Sequence, residues 1–286
     1  MTDRVAVLGL GVMGAGIAHV VAASGRDVVA LEIDADRVVE GSARLRAFLD
    51  GGVARGKTTA EERDAVLARV RPVVDVAELA GVALVIEAVT ERADVKGELL
   101  GRVAAVVPDD ALIATNTSAL AVTDLAASVP HPERFGGLHF FNPAPLMKVV
   151  EVVPGLRTAP ETVTALVEFA TGLGKDAVVV GDRPGFLVNH LLIPYLNDVV
   201  AEYDRDLADA ADLDTAMRLG LGYRLGPLEL LDLIGLDVHE HAARRAYEAT
   251  HDPAFAPPPL LTRMVAAGYL GAKSGRGFRT GGENAG

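Results

Sequence analysis

The sequence predicts an α/β fold in which a doubly wound, Rossmann-type sheet carrying a helical-hairpin insert is followed by an all-helical C-terminal domain. Three observations predict it. Short apolar runs alternate with helical periodicity through the first half of the 286 residues, the pattern of parallel strands linked by crossover helices. A Gly9-x-Gly11-x-x-Gly14 turn follows the first of those runs and opens a helical stretch. Strand signals stop after Gly181-Asp182-Arg183-Pro184-Gly185, and long helical patterns take over. The domains are therefore drawn at 1–183 and 184–286.

Strands are expected at residues 5–8, 28–31, 73–74, 84–89 and 112–114, with later runs at 135–141, 149–153 and 177–180 extending the sheet. Before the last of these, Val163, Leu166, Val167 and Ala170 line one face of a helix. The crossover between the second and third strands is about twice the usual minimum, so an insert is expected there. One of its helices presents Val38, Leu45, Phe48 and Leu49, Gly51-Gly52 breaks the pattern, and Thr59-Ala60-Glu61-Glu62 reads as a capping box opening a second helix. In the C-terminal domain Pro194 is expected to kink the first helix, and the apolar face of Leu228, Leu231 and Leu233-Ile234 is expected to need a partner subunit.

Composition narrows the function. With half of its residues hydrophobic the chain can bury a large core. A net charge of -12 repels phosphates at long range and argues against nucleic acid or anionic lipid as partners. The absence of cysteine removes disulfides, thiolate metal sites and a cysteine nucleophile, and fits a reducing compartment, with the cytoplasm as the expected location. No metal site is expected. Residues 5–25 carry no Lys, Arg, Asp or Glu, but Gly9, Gly11, Gly14, Gly16, Gly25 and His19 interrupt them, so a strand, turn and helix explain them better than a membrane span or signal peptide.

The glycine turn gives the first chemistry. Its context, strand before and helix after, lets the backbone of Gly9, Leu10, Gly11, Val12, Met13 and Gly14 approach a pyrophosphate. Glu32 ends the second strand, eighteen residues past Gly14, where a carboxylate can accept hydrogen bonds from adenine ribose hydroxyls. That favours NAD over NADP, although Arg37 lies nearby and a solvated acid at a strand end would look the same. Asn116-Thr117-Ser118 follows the fifth strand, at the carboxyl edge where doubly wound folds bind ligands; ordinary turn chemistry would also use these residues.

His139 stands apart from the other histidines because its run, Gly137-Leu138-His139-Phe140-Phe141, is apolar. If the chain folds back antiparallel about Pro145, the ladder sets Glu151 across from His139. A carboxylate beside an imidazole orients the ring and steadies its charged form, the arrangement a proton acceptor for alcohol oxidation needs. A buried structural histidine remains the alternative on these residues alone.

Together these segments resemble the 3-hydroxyacyl-CoA dehydrogenase family, and within it the short bacterial 3-hydroxybutyryl-CoA dehydrogenases. The resemblance is carried by GLGVMGAGIA, VIEAVTERADVK, ATNTSAL, RFGGLHFFNPAPLMKVVEVV, DRPGFLVNHLLIPYLN, LDTAMRLGLGYRLGPLELLDLIGLD and GYLGAKSGRGF, and it runs from about Arg4 to Phe278. It implies an NAD-dependent interconversion of 3-hydroxyacyl-CoA and 3-ketoacyl-CoA. It further implies a catalytic His139–Glu151 pair, Ser118 and Asn189 hydrogen-bonding the substrate's C3 oxygen, and Glu32, Glu91, Lys96, Asn116 and Lys273 as cofactor contacts. The matching coenzyme A contacts are Arg55 and Lys57 of LDGGVARGK, and the helical domain is expected to bind substrate and form a homodimer. Gly51 and Ala54 stand where relatives often place lysines, and His190 where an arginine is common. A fused hydratase is not expected at this length.

Other readings stay open on the sequence. A sugar-acid dehydrogenase of the gulonate or lambda-crystallin type looks similar around the same serine, histidine, glutamate and asparagine. The broader beta-hydroxyacid dehydrogenases use a lysine on the first long helix, and none lies between Lys175 and Lys273. A silent NAD-binding protein would keep the fold without turnover.

Overall fold

The computed structural model describes residues 4–279. Eight strands form one sheet: β1 (Arg4–Leu8), β2 (Asp27–Leu31), β3 (Val70–Val73), β4 (Leu84–Glu87), β5 (Leu112–Thr115), β6 (Phe135–Phe140), β7 (Val149–Pro154) and β8 (Asp176–Val179). Their order is β3-β2-β1-β4-β5-β6-β7-β8. Pairing is parallel throughout, except that β6 and β7 run antiparallel. The chain leaves β1 toward β2 on one side and returns to β4 on the other. The carboxyl ends of β1 and β4 therefore flank a topological switch point, where such sheets form a crevice for ligands.

Buried β-branched and aliphatic residues explain the sheet. Val5, Val7, Val28, Ala30, Leu84, Ile86, Leu138, Val150 and Val152 all join one core. Ile17 and Val21 of α1 (Val12–Ala23) and Leu166, Phe169 and Ala170 of α6 (Pro160–Gly172) are in the same core. Each fully buried Leu or Ile contributes about 1.5–3 kcal/mol.

The insert is a helical hairpin of α2 (Ala35–Ala54) and α3 (Ala60–Arg69), which deliver Leu45, Leu49 and Val66 to that core. Thr59 and Glu62 form the capping box, each side chain bonded to the other's backbone N–H. The expected break at Gly51-Gly52 does not occur, because α2 runs through both glycines to Ala54. Two interior glycines cost roughly 2 kcal/mol relative to alanine, and the buried Leu45 and Leu49 in the preceding two turns offset that cost. Two further helices, α4 (Ala93–Ala104) and α5 (Val122–Ala126), complete this part of the chain.

The described residues divide into two compact units between Asp182 and Arg183. The second contains α7 (Val188–Asp204), α8 (Ala210–Leu221), α9 (Pro227–Ile234), α10 (Leu236–Thr250) and α11 (Pro259–Ala266). Pro194 lies inside α7 without ending it. Buried Ile193, Leu196 and Val200 hold the flanking turns in place. Leu228 and Leu231, expected to await a partner, are fully buried in this unit's own core with Leu196, Val200, Leu213, Leu236 and Leu261. Leu233 keeps the exposure expected of that face, at 65%. No helix of the described residues is long and apolar enough to cross a membrane.

Candidate active site

The glycine turn sits at the carboxyl end of β1. Gly9 has φ +87°, a conformation that glycine tolerates best, and its N–H donates to the Leu31 carbonyl at 2.8 Å. A Cβ on Gly14 would lie 1.8 Å from the Gly9 carbonyl oxygen, so only glycine lets α1 start this close to the turn. Gly11 caps α1 without a side-chain bond, and a Cβ there would meet nothing within 4 Å. First-turn N–H groups beside open space form a cradle suited to an anionic pyrophosphate.

Leu10 is placed differently from its neighbours. Its side chain is buried, its N–H donates to Glu32 Oε1 at 2.5 Å, and its carbonyl accepts from Arg44 of α2 at 2.8 Å. Glu32 Oε2 also accepts from the Ile33 N–H at 3.2 Å. The carboxylate is thereby oriented at the end of β2, beside the turn. Val12 is 61% exposed and Met13 half-buried.

On the other side of the switch point, buried charges surround the end of β4. Lys96 of α4 is 1% exposed, and its ammonium lies 2.7 Å from Glu87 Oε1 and 3.1 Å from Glu91 Oε2. Glu91 Oε1 accepts from the Thr117 hydroxyl at 2.5 Å and from the N–H groups of Ser118 and Ala119 at 3.0 and 3.2 Å. Burial pushes the Glu91 carboxyl up, but the Lys96 charge and these donors outweigh it and leave it below its ordinary range. Lys96, expected as a cofactor contact, is engaged by the two carboxylates, whereas Glu91 and Ser118 are part-exposed. Asn116 accepts the Phe140 N–H on its side-chain oxygen at 2.8 Å, tying this turn to β6.

The β6–β7 ladder sets His139 directly opposite Glu151. His139 Nδ1 lies 2.7 Å from Glu151 Oε2, with the two residues 5% and 1% exposed. Phe141 packs against the imidazole at 4.6 Å between ring centres. Lys175, also buried, donates to the carbonyls of Ala144 and Met147 at 2.8 Å each and so braces the connection between the two strands. Burial lowers the pKa of Lys175 from its ordinary value.

The remaining expected residues stand as follows. Asn189 lies in the first turn of α7, half-buried. Lys273 pairs with Asp237 at 2.5 Å. Arg55 and Lys57 are exposed where α2 gives way to α3, and Arg55's guanidinium lies over Gly51, 3.2 Å from where a Cβ would be. Among the described residues no group of three His, Asp or Glu is placed to hold a metal ion.

Sequence reasoning missed Glu87 and Thr115, and it read Arg44 only as the start of a basic cluster running to Lys57, not as a donor to the Leu10 carbonyl. One signal for Glu87 was available: an acid closing an otherwise apolar strand, at the sheet edge where ligands bind.

An oriented carboxylate beside a glycine cradle suits a dinucleotide, and a buried imidazole–carboxylate pair is one arrangement that can move an alcohol's proton. Family models agree: residues 4–183 match the 3-hydroxyacyl-CoA dehydrogenase NAD binding domain, and residues 185–281 match the C-terminal domain of the same family. The chain belongs to the 3-hydroxyacyl-CoA dehydrogenase family. It is an NAD-dependent oxidoreductase of that family. It is 43% identical to the 3-hydroxybutyryl-CoA dehydrogenase of Mycobacterium tuberculosis, over 97% of this chain and 98% of the relative. It is also 43% identical to the 3-hydroxyadipyl-CoA dehydrogenase of Escherichia coli, over 96% of this chain, and there it spans only 58% of the relative's length. The solved structure of (S)-3-hydroxybutyryl-CoA dehydrogenase from Ralstonia eutropha superposes with a TM-score of 0.90 at 37% identity, covering 98% of this chain and 99% of that one.

Proposed function

We propose that this enzyme interconverts a short 3-hydroxyacyl-CoA and its 3-ketoacyl-CoA, with 3-hydroxybutyryl-CoA and acetoacetyl-CoA as the substrate pair, and that His139 and Glu151 carry the proton. The observation that supports this most is the buried 2.7 Å contact between His139 Nδ1 and Glu151 Oε2. NAD, when bound, supplies the hydride acceptor. The open N-terminus of α1 at Gly11 and the oriented Glu32 are the groups that would hold it, and both fit an anionic, ribose-bearing ligand.

His139 Nε2 takes the 3-hydroxyl proton during oxidation and returns it during reduction. Glu151 holds the ring through Nδ1 and provides the counter-charge to the imidazolium, in a place where water is too scarce to do so. Ser118 donates its hydroxyl hydrogen bond to the C3 oxygen, and Asn189 is assigned to the same oxygen. Asn116 and Glu91 border the cofactor, with Lys96 acting through Glu91, and Lys273 is assigned to it from the helical unit. Arg55 and Lys57 supply positive charge for the coenzyme A phosphates on an otherwise acidic chain.

The enzyme is further proposed to work in the cytoplasm as a homodimer through its helical unit, where Leu219, Leu221, Tyr223 and Leu233 are exposed. Initial rates with acetoacetyl-CoA and longer 3-ketoacyl-CoAs, each with NADH and NADPH, test the substrate assignment. Fastest turnover of acetoacetyl-CoA with NADH is expected. Turnover of free polyol acids with none on any thioester would overturn it.

A further inference from the structure

Glu87 closes β4 behind three apolar residues and is completely buried. A carboxylate survives there only when donors surround it. Its Oε1 accepts from Lys96 Nζ and from the Val89 N–H, both at 2.7 Å, and its Oε2 accepts from the Thr115 hydroxyl at 2.7 Å. From these contacts two routes lead to the Asn116–Ser118 turn. In one, Lys96 bridges to Glu91, whose other oxygen accepts from the N–H groups of Ser118 and Ala119. In the other, the Thr115 oxygen accepts the Thr117 N–H at 3.2 Å.

We propose that Glu87 is a positioning residue of the reaction, which fixes the Asn116–Ser118 turn through Lys96 and Glu91 on one side and through Thr115 on the other. This rests on the reading above that Ser118 and Asn116 touch substrate and cofactor. With no exposed surface of its own, Glu87 acts through these neighbours.

The charge balance gives the mechanism. One buried ammonium is shared by two carboxylates. With glutamine at 87, Lys96 has only Glu91 as a full counter-charge. It then draws both Glu91 oxygens toward itself, away from the Ser118 and Ala119 N–H groups. A further anchor of the turn, Asn116 on the Phe140 N–H, is adjacent to His139 and involves no side-chain atom of Glu87. Ser118 therefore shifts relative to His139, and the two do not move together. Displacements of this kind weaken the transition state more than ground-state binding.

The test is Glu87→Gln in the full chain, read by amide hydrogen exchange without ligand and by steady-state kinetics with acetoacetyl-CoA and NADH. Exchange at Thr117, Ser118 and Ala119 is expected to accelerate about tenfold, with β1 and β2 amides unchanged. The kcat is expected to fall about tenfold while KM for the thioester stays within about twofold. The pH profile of kcat is expected to keep its shape. Unchanged protection at those three amides would overturn the proposal, and so would lost protection with an undiminished kcat. Absence of turnover in the parent enzyme would remove the thioester reading instead, and the exchange data would still decide whether Glu87 holds the turn. Should Glu87→Gln fail to fold, Glu87→Gln with Lys96→Gln leaves no ammonium to draw Glu91 away, so Ser118 and Ala119 are expected to keep their protection, and accelerated exchange there would overturn the charge mechanism.

Discussion

His139 and His239 are buried almost equally, at 5% and 4% exposure, yet one faces a carboxylate and the other an amide. His239 Nε2 lies 3.0 Å from Asn197 Oδ1. The Asn197 amide nitrogen is spent on the carbonyls of Ala254 and Ala256, so its oxygen must accept and the histidine must donate. An amide offers no counter-charge, and burial pushes the His239 pKa down to about 4. His239 is therefore a neutral structural donor. Glu151 gives His139 what Asn197 cannot give His239, a carboxylate 2.7 Å from the ring. Burial alone does not set a histidine apart; the proposed acid–base role of His139 rests on its partner.

The sharpest attempt to break this contrast is His139→Gln. Turnover is expected to fall by roughly 10²–10⁴-fold, with NADH affinity, followed by fluorescence titration, unchanged within about twofold. Near-normal turnover would end the assignment. Next comes Glu151→Gln, which gives His139 the kind of partner His239 has. The kcat is expected to drop about a hundredfold, and a drop no larger than about twofold would mean that the carboxylate is dispensable.

A stability measurement probes the other histidine. Its folded pKa, about 4, lies below the ordinary value of 6.5, so the unfolded chain binds the proton more readily. The stability it contributes is complete above pH 6.5 and is lost as the pH falls from there toward 4, by about 3 kcal/mol in all. Urea unfolding between pH 7 and 4.5 should show this slope in the parent and a shallower one in His239→Gln. Equal slopes would mean that His239 is not held neutral. The same His239→Gln change should leave kcat within about twofold, measured well below its unfolding temperature.

Most of the sheet was legible because its inner strands, such as β1, β4 and β6, are apolar runs buried on both faces, whereas the outermost strands β3 and β8 are more exposed. The His139–Glu151 meeting was legible for a related reason. Two adjacent strands joined by a short connection have few registers, and counting outward from Pro145 selects this one. Gly51-Gly52 misled, since helix propensity is a weak local preference and the packing of Leu45 and Leu49 overrides it. Leu228 and Leu231 misled as well: a short amphipathic helix shows that it needs cover without showing whether the same chain supplies it.

Spacing along the chain, then, was sufficient for the glycine cradle, the hairpin capping box and the histidine's strand partner, because each depends on residues close in sequence or on one ladder. Assembly in three dimensions was needed for the ammonium shared by Glu87 and Glu91, for Arg44 on the Leu10 carbonyl and for Asn197 facing His239. Those groups come from separate elements, and which donor meets which acceptor follows from helix placement on the sheet and within the helical core. Desolvation then gives each pairing its strength, and it arises only once the surrounding apolar residues have closed over the charge.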